Sequence, residues 1–158
     1  MQIRAQLSLD SDGYLRRQCP RCERVFKWHD GPIGEVPADA PEPGVYYCPY
    51  CGEPSPLDQW FTDEQVDYLQ ALAMGEVTRL VESELGPVVD DLNRSGDFIS
   101  ASLEVPTDNP PPPLLEPDDM IAVASPCHPH EPVKILDDWD QPIHCLVCGE
   151  PFTVSMSQ

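Results

Sequence analysis

The residues of this chain that could do chemistry are cysteines arranged in pairs. Three pairs have two residues between the thiols, and a fourth pair ends in a histidine instead. Two intervening residues allow one tight turn to aim both donor atoms at a single tetrahedral ion, which is the spacing of structural zinc sites. The pattern predicts two four-ligand sites, formed by Cys19, Cys22, Cys48 and Cys51 and by Cys127, His130, Cys145 and Cys148.

An internal repeat selects His130 over its neighbour His128 as the fourth ligand of the second site. Aligning the first halves of the two sites places His130 over Cys22. The second halves share the sequence Cys-Gly-Glu-Pro, at residues 51–54 and 148–151. The glycine of that sequence suits a turn with positive φ. The repeat therefore predicts two related metal-binding modules that together use all seven cysteines.

Four protein ligands at each predicted site indicate structural ions. A catalytic zinc keeps one position open for water, and neither set leaves one. An enzyme that uses His128 or His144 as an acid or base beside the second site is the weaker alternative. The sequence outside the two sites shows neither a nucleophile with a matching base nor a Gly-rich phosphate loop. We therefore expect a protein without catalytic residues.

The charge balance limits the classes of partner. The chain has 28 acidic and 9 basic residues, for a formal net charge of −19, so most of its surface repels nucleic acid. No apolar run near residue 1 resembles a signal peptide, and no later stretch is apolar enough to cross a membrane. We therefore expect a cytoplasmic protein, in which cysteine pairs bind metal rather than form disulfides.

The first metal-binding segment combines positive charge with aromatic side chains. The candidate contacts for a partner or a nucleic acid are Arg16, Arg17, Arg21, Arg24, Lys27 and Trp28. Aromatic faces beside a basic groove can stack the bases of a single strand. The competing interpretation is that the aromatic residues form a small core beside the metal, with the arginines at its rim.

Short strands and one helix must position these residues. Alternating or β-rich stretches predict strands at 1–15, 25–28, 45–47, 98–105, 120–124, 133–136, 142–144 and 152–154. Thr62 and Gln65 form a predicted capping box for a helix whose apolar residues recur at helical spacing, and Gly86-Pro87 is predicted to end it. Six prolines between residues 106 and 117 predict an extended linker.

The cysteine pairs resemble the knuckles of zinc-ribbon proteins, and Cys48-Pro49-Tyr50-Cys51-Gly52 is similar to the iron-binding turn of rubredoxins. The resemblance to zinc ribbons implies two structural Zn²⁺ ions, whereas His130 departs from the four cysteines of a rubredoxin iron site. As a class, zinc-ribbon proteins bind proteins or nucleic acids, mostly within larger assemblies. The resemblance therefore does not choose between these partners.

The predicted fold is small and metal-bound, mainly β with one long α-helix, and consists of two zinc ribbons joined by the helix and the Pro-rich linker. The predicted parts are a four-cysteine ribbon at 1–61, an acidic helix and following strand at 62–105, the linker at 106–117 and a three-cysteine, one-histidine ribbon at 118–158. Whether the ribbons pack together and whether the chain oligomerises stay open.

The closed ligand sets and the acidic surface favour a non-enzymatic zinc-binding adaptor or regulatory protein that binds another protein. The alternative is a regulatory protein that binds nucleic acid through the basic, aromatic first ribbon.

Overall fold

The structure, a computed structural model, describes residues 6–40, 42–95 and 110–154. Within these ranges the chain forms eight short strands and one long helix. The strands are β1 (Tyr14–Gln18), β2 (Val25–His29), β3 (Val45–Tyr47), β4 (Pro54–Pro56), β5 (Ile121–Val123), β6 (Val133–Ile135), β7 (Ile143–His144) and β8 (Pro151–Phe152), and the helix is α1 (Asp63–Ser95). The protein is therefore small and mainly β with one helix, as the sequence predicts.

Strands from both cysteine-containing segments form one antiparallel sheet, in the order β1-β2-β6-β5. The central pair places Lys27 opposite Lys134 and Trp28 opposite Val133. Each segment supplies one inner and one outer strand, because β1 pairs with β2 and β5 pairs with β6. The two segments therefore pack together, which answers a question that the sequence leaves open.

The two remaining strand pairs, β3-β4 and β7-β8, contact each other through reciprocal hydrogen bonds. The amide of Tyr47 donates to the carbonyl of Leu146 at 2.9 Å, and the amide of His144 donates to the carbonyl of Pro49 at 2.8 Å. In each bond the donor is the residue before the first cysteine of one pair, and the acceptor is the residue after the first cysteine of the other pair. The repeat in the sequence therefore corresponds to a two-fold arrangement of its second halves.

Aromatic side chains fill the core between these strands. Phe26 and Trp60 are fully buried, and their rings meet edge to face with centroids 5.7 Å apart. Trp28 packs at an angle against both Trp60 and Tyr46. The second segment completes the core with aliphatic side chains, namely Val133, Ile135, Ile143 and Leu146. These contacts agree with the interpretation that the aromatic residues form a small core, rather than a surface that stacks bases.

Both lysines of the chain are buried side by side in the four-stranded sheet. The side chain of Lys27 is 0% exposed, and its ammonium lies 3.1 Å from the carboxylate of Asp10. The side chain of Lys134 is 3% exposed, and its ammonium lies 2.8 Å from the same carboxylate. Two further carboxylates, of Glu116 and Asp119, lie 3.1 and 3.2 Å from the Lys27 ammonium. Buried ammonium groups need such partners, because removal from water alone costs several kcal/mol per ion.

The helix α1 runs for 33 residues and continues through Pro87, so the prediction that Gly86-Pro87 ends it is wrong. A proline inside a helix removes one hydrogen bond and crowds the residue before it. Here that residue is Gly86, whose lack of a Cβ relieves part of the crowding. At the other end, the amide of Asp63 donates to the side-chain oxygen of Gln18 at 3.1 Å, which satisfies the first amide of the helix.

Two strand predictions have other outcomes. In the described part of residues 1–15, a strand begins only at Tyr14, and the predicted strand at 98–105 lies outside the described residues. The described residues divide into two compact units, one formed by 6, 64–95 and 110–113 and the other by 7–40, 42–63 and 114–154. The second unit contains all the cysteines.

Candidate metal centres

Four cysteine sulfurs meet at the first candidate centre. The donor atoms of Cys19, Cys22, Cys48 and Cys51 all lie within 4.8 Å of one another, and the four residues are free cysteines. Two sulfur–sulfur distances, from Cys19 to Cys51 and from Cys22 to Cys48, are 3.7 Å. A tetrahedral ion with bonds of about 2.3 Å to sulfur holds its ligands about 3.8 Å apart. The four sulfurs therefore fit such an ion.

Three turns that carry the cysteines share one backbone pattern. Each turn closes an antiparallel strand pair with six residues that begin with a cysteine, at 19–24, 48–53 and 145–150. The amide of this cysteine donates to the carbonyl of the sixth residue, and the amide of the fifth donates back to the cysteine carbonyl, at 2.9 to 3.0 Å. The fifth residue has a positive φ in all three turns, with 63° at Glu23, 75° at Gly52 and 78° at Gly149.

Backbone amides inside the first two turns stabilise the sulfurs. The amides two and three residues after Cys19 donate to its sulfur at 3.3 and 3.4 Å, and the corresponding amides donate to the sulfur of Cys48 at 3.4 and 3.5 Å. Burial acts to raise the pKa of both thiols. At Cys19 the amides and neighbouring sulfurs outweigh burial and lower the pKa, whereas at Cys48 burial prevails and the pKa is raised. A bound cation favours the thiolate form of both.

The second candidate centre brings three cysteines together with His128. The donor atoms of Cys127, Cys145, Cys148 and His128 all lie within 4.8 Å of one another. The sulfurs of Cys127 and Cys148 are 3.4 Å apart, and the sulfur of Cys145 lies 3.4 Å from Nδ1 of His128. Burial raises the pKa of Cys148 to about 11. Cys127 is exposed, so this centre is more open than the first, where Cys19 and Cys48 are buried.

Ser125 supports the second centre and was not predicted from the sequence. Its hydroxyl accepts the amide of His128 at 3.1 Å and lies 3.1 Å from the sulfur of Cys145. The hydroxyl hydrogen is therefore free to point at that sulfur. A single serine before a cysteine pair has no spacing that would distinguish it from any other serine.

The structure brings His128, and not the predicted His130, into the second centre. The ring of His130 lies outside the group of donor atoms, with its centroid 5.8 Å from that of the His128 ring. The connection from β5 to β6 spans residues 124–132 and is longer than the six-residue turns. The amide of Glu131 donates to the carbonyl of His128 at 3.1 Å, a bond that the other turns do not have. Moreover, Pro129 has no amide to donate to the sulfur two residues before it.

Four of the six candidate partner contacts are engaged within the protein. Arg16 is 20% exposed and forms ion pairs with two carboxylates at 2.6 and 2.8 Å. The buried guanidinium of Arg17 lies between the rings of Trp28 and Phe61, with centroid distances of 4.5 and 4.9 Å. Burial lowers the pKa of Arg17 to about 10. Lys27 is fully buried, which leaves its ammonium no surface to offer a partner.

The two remaining candidates, Arg21 and Arg24, are exposed beside the first centre. The guanidinium of Arg24 lies 4.9 Å from the ring centroid of Trp139. The positive surface of the first segment is therefore smaller than its count of basic residues indicates.

Comparisons of the chain with protein-family models, curated proteins and solved structures found no match. In the described ranges, no helix combines the length and the apolar character that a crossing of a lipid bilayer requires. The two clusters are geometrically compatible with zinc-ribbon-like sites, and this conclusion depends on geometry alone.

Proposed function

We propose that the chain is a non-enzymatic adaptor or regulatory protein that binds two structural Zn²⁺ ions and acts through contact with another protein. Sulfur and imidazole donors in sets of four favour Zn²⁺ over cations that prefer oxygen. Four protein donors leave no position for a reacting water molecule. The donor sets therefore support a structural role for both ions.

In this proposal each ion closes one zinc ribbon, the first built from β1 to β4 and the second from β5 to β8. Each ion would join the ends of two strand pairs whose cysteines are far apart in the sequence. Zinc binding of this kind supplies apparent free energy on the order of 10 kcal/mol, which becomes folding free energy when the unfolded chain has no site. The ions would thus make a rigid body from short strands that bury little apolar surface.

The exposed apolar side of α1 is the observation that carries the protein-binding proposal. Its exposed residues are Met74 at 61%, Val77 at 43%, Leu85 at 45%, Val88 at 53% and Leu92 at 49%. Together with the half-buried Val81 they recur every three or four residues, which places them in one stripe along the helix. An apolar stripe of this length is typical of a helix that docks on a partner.

A capture experiment tests this proposal. The zinc-loaded chain is immobilised, and proteins retained from a lysate of the native host are identified by mass spectrometry. We expect a specific protein to be lost with Val77→Ser and Val88→Ser in the stripe and retained with Glu82→Ser and Asp90→Ser on other sides of α1. Far-UV circular dichroism must show equal helix content in both variants. Capture of nothing specific, or equal loss with both variants, would count against the proposal.

Nucleic-acid binding through the first ribbon is the second candidate function, and exposed Arg21 and Arg24 favour it. Titrations with labelled single- and double-stranded DNA and RNA at several salt concentrations test it. Binding that falls steeply with salt and disappears with Arg21→Glu and Arg24→Glu would support this function. An absence of binding at low salt would exclude nucleic-acid binding as a function of the first ribbon.

A further inference from the structure

A cleft lies beside the second candidate centre and is not used by the proposed function. It has a volume of about 630 Å³ and lies between residues 32–40 and 42–43 on one side and the segment at residues 127–131 on the other. Pockets that bind small molecules usually have volumes of about 300–1,000 Å³. The amide of Ile33 donates to the carbonyl of His130 at 2.9 Å, which joins the two walls.

The lining of the cleft is acidic and contains no basic side chain other than histidine. Its carboxylates come from Glu35, Asp39, Glu42 and Glu131. The first three are exposed, whereas Glu131 is half-buried. A cation in the cleft would lower the free energy of this carboxylate, which has no ion pair among the described residues.

His130 also lines the cleft and has an unused hydrogen-bonding capacity there. The residue is 9% exposed. Its ring contacts the ring of His128 but has no hydrogen-bond partner among the described residues. Its ring nitrogens are not among the fully buried polar atoms that lack a partner, so they keep some surface and are able to bond a ligand in the cleft.

The geometry argues against a metal ion as this ligand. Outside the two cysteine clusters, the described residues contain no group of three metal-binding side chains with donor atoms within 4.8 Å of one another. Carboxylates spread along a cleft instead suit several cationic groups on one extended chain. The apolar lining, from Val36, Pro37, Pro129 and Val147, suits the aliphatic parts of Lys and Arg side chains.

We infer that this cleft binds a basic, extended peptide segment of another protein, with Arg or Lys side chains against its carboxylates and the ring of His130. The inference shares with the proposed function only the premise that the partner is a protein. It concerns a different surface from the stripe of α1, so its test can fail while the capture experiment succeeds.

The test uses the full zinc-loaded chain and a fluorescein-labelled hexapeptide of alternating Arg and Ala, with binding followed by fluorescence anisotropy. Salt at about 0.15 M limits diffuse attraction to the acidic surface as a whole. Substitution of Glu35→Gln, Asp39→Asn and Glu42→Gln should weaken binding about tenfold or more. The control Glu76→Gln, Glu82→Gln and Asp90→Asn removes the same charge from α1 and should change binding less than about twofold.

A second measurement keeps the inference testable if the cleft variant is damaged. Amide chemical shifts of the unsubstituted protein should change on peptide addition at residues 32–40, 42–43 and 127–131. Changes spread over the acidic surface, equal weakening by the two variants, or no binding at about millimolar peptide would each overturn the inference.

Discussion

Glu23 shows how strictly the cysteine turns constrain single residues. It is the only residue other than glycine with a positive φ in the described ranges, a conformation that costs an L-residue roughly 1–2 kcal/mol. Gly52 and Gly149 occupy the same position in the other turns. A Cβ at these glycines would lie 2.8 and 2.7 Å from the rings of His144 and Tyr47. The fifth position of the turn therefore favours glycine for two separate reasons.

We expect Glu23→Gly to stabilise the zinc-loaded protein by about 0.5–1 kcal/mol. Glycine removes the backbone strain of the folded protein, and this stabilises the protein by more than the extra conformational entropy of glycine stabilises the unfolded chain. Urea unfolding at equilibrium measures the difference. Gly52→Ala is the matched control and should destabilise the protein, and a loss of stability with Glu23→Gly would contradict this account of the turn.

The two neighbouring histidines should differ in their effect on zinc. Loss of a hydrogen bond that supports a metal ligand weakens metal binding about 10–100-fold. We expect His128→Ala to weaken zinc binding at the second centre by more than this, because it removes a ligand. His130→Ala should change the affinity less than about tenfold. Competition with a chromophoric chelator measures both. The reverse order would restore His130 as the fourth ligand.

At the scale of elements, the central strands β2 and β6 depend on one buried carboxylate. Burial alone would raise the pKa of Asp10, but hydrogen bonds from Lys134, from the amide of Tyr14 and from Lys27 outweigh it and hold the pKa well below its usual range. A carboxyl whose pKa is lowered by folding contributes stability above its unfolded pKa, near about 4. That contribution is lost as the pH falls further.

We therefore expect Asp10→Asn to lower the free energy of unfolding by about 3–5 kcal/mol at pH ~7, because two buried ammonium groups lose their shared partner. Asp12→Asn is the control, since Asp12 also contacts Lys134 but its side chain is 66% exposed, and it should cost less than about 1 kcal/mol. Carboxyl carbon chemical shifts should show Asp10 ionised at every pH at which the protein stays folded. Protonation near pH ~4 would contradict the lowered pKa.

The course of α1 through Pro87 leads to a prediction for the helix. Proline is about 3 kcal/mol less favourable than alanine inside a helix, so Pro87→Ala should slow amide hydrogen exchange in the turns around it by about tenfold or more. Gly86→Ala should speed exchange there instead, because a Cβ before Pro87 restores the crowding that glycine relieves. Unchanged exchange in both variants would indicate that the helix ends before Pro87.

At the scale of the whole molecule, the cysteine-containing unit should require its ions. Its strands are two to five residues long, and such elements are marginal without other support. We expect a strong chelator to abolish the near-UV circular dichroism of the buried aromatic core, with recovery on addition of zinc, and elemental analysis to find about two zinc ions per chain. Persistence of the near-UV signal in the stripped protein would show that the ions are not structural.

The sequence predicted local chemistry better than long-range packing. The spacing within a cysteine pair and the glycine after it are set by a single turn, which involves only residues close in the sequence. The short strands and three of the four turns could therefore be predicted. The position of His128 instead of His130 in the second centre has one sequence signal, which is Pro129: it has no amide to donate to the Cys127 sulfur. The burial of Lys27 could not be foreseen, because Asp10, Glu116 and Lys134 meet it only when distant segments pair.

The burial of Lys27 and Lys134 has a consequence for the cell. These are the only lysines in the sequence, and neither offers its amine at the surface. Enzymes that attach ubiquitin or acetyl groups to lysine would find no acceptor side chain on the folded chain. If removal of the proposed ions unfolds this unit, both amines would become accessible to such enzymes.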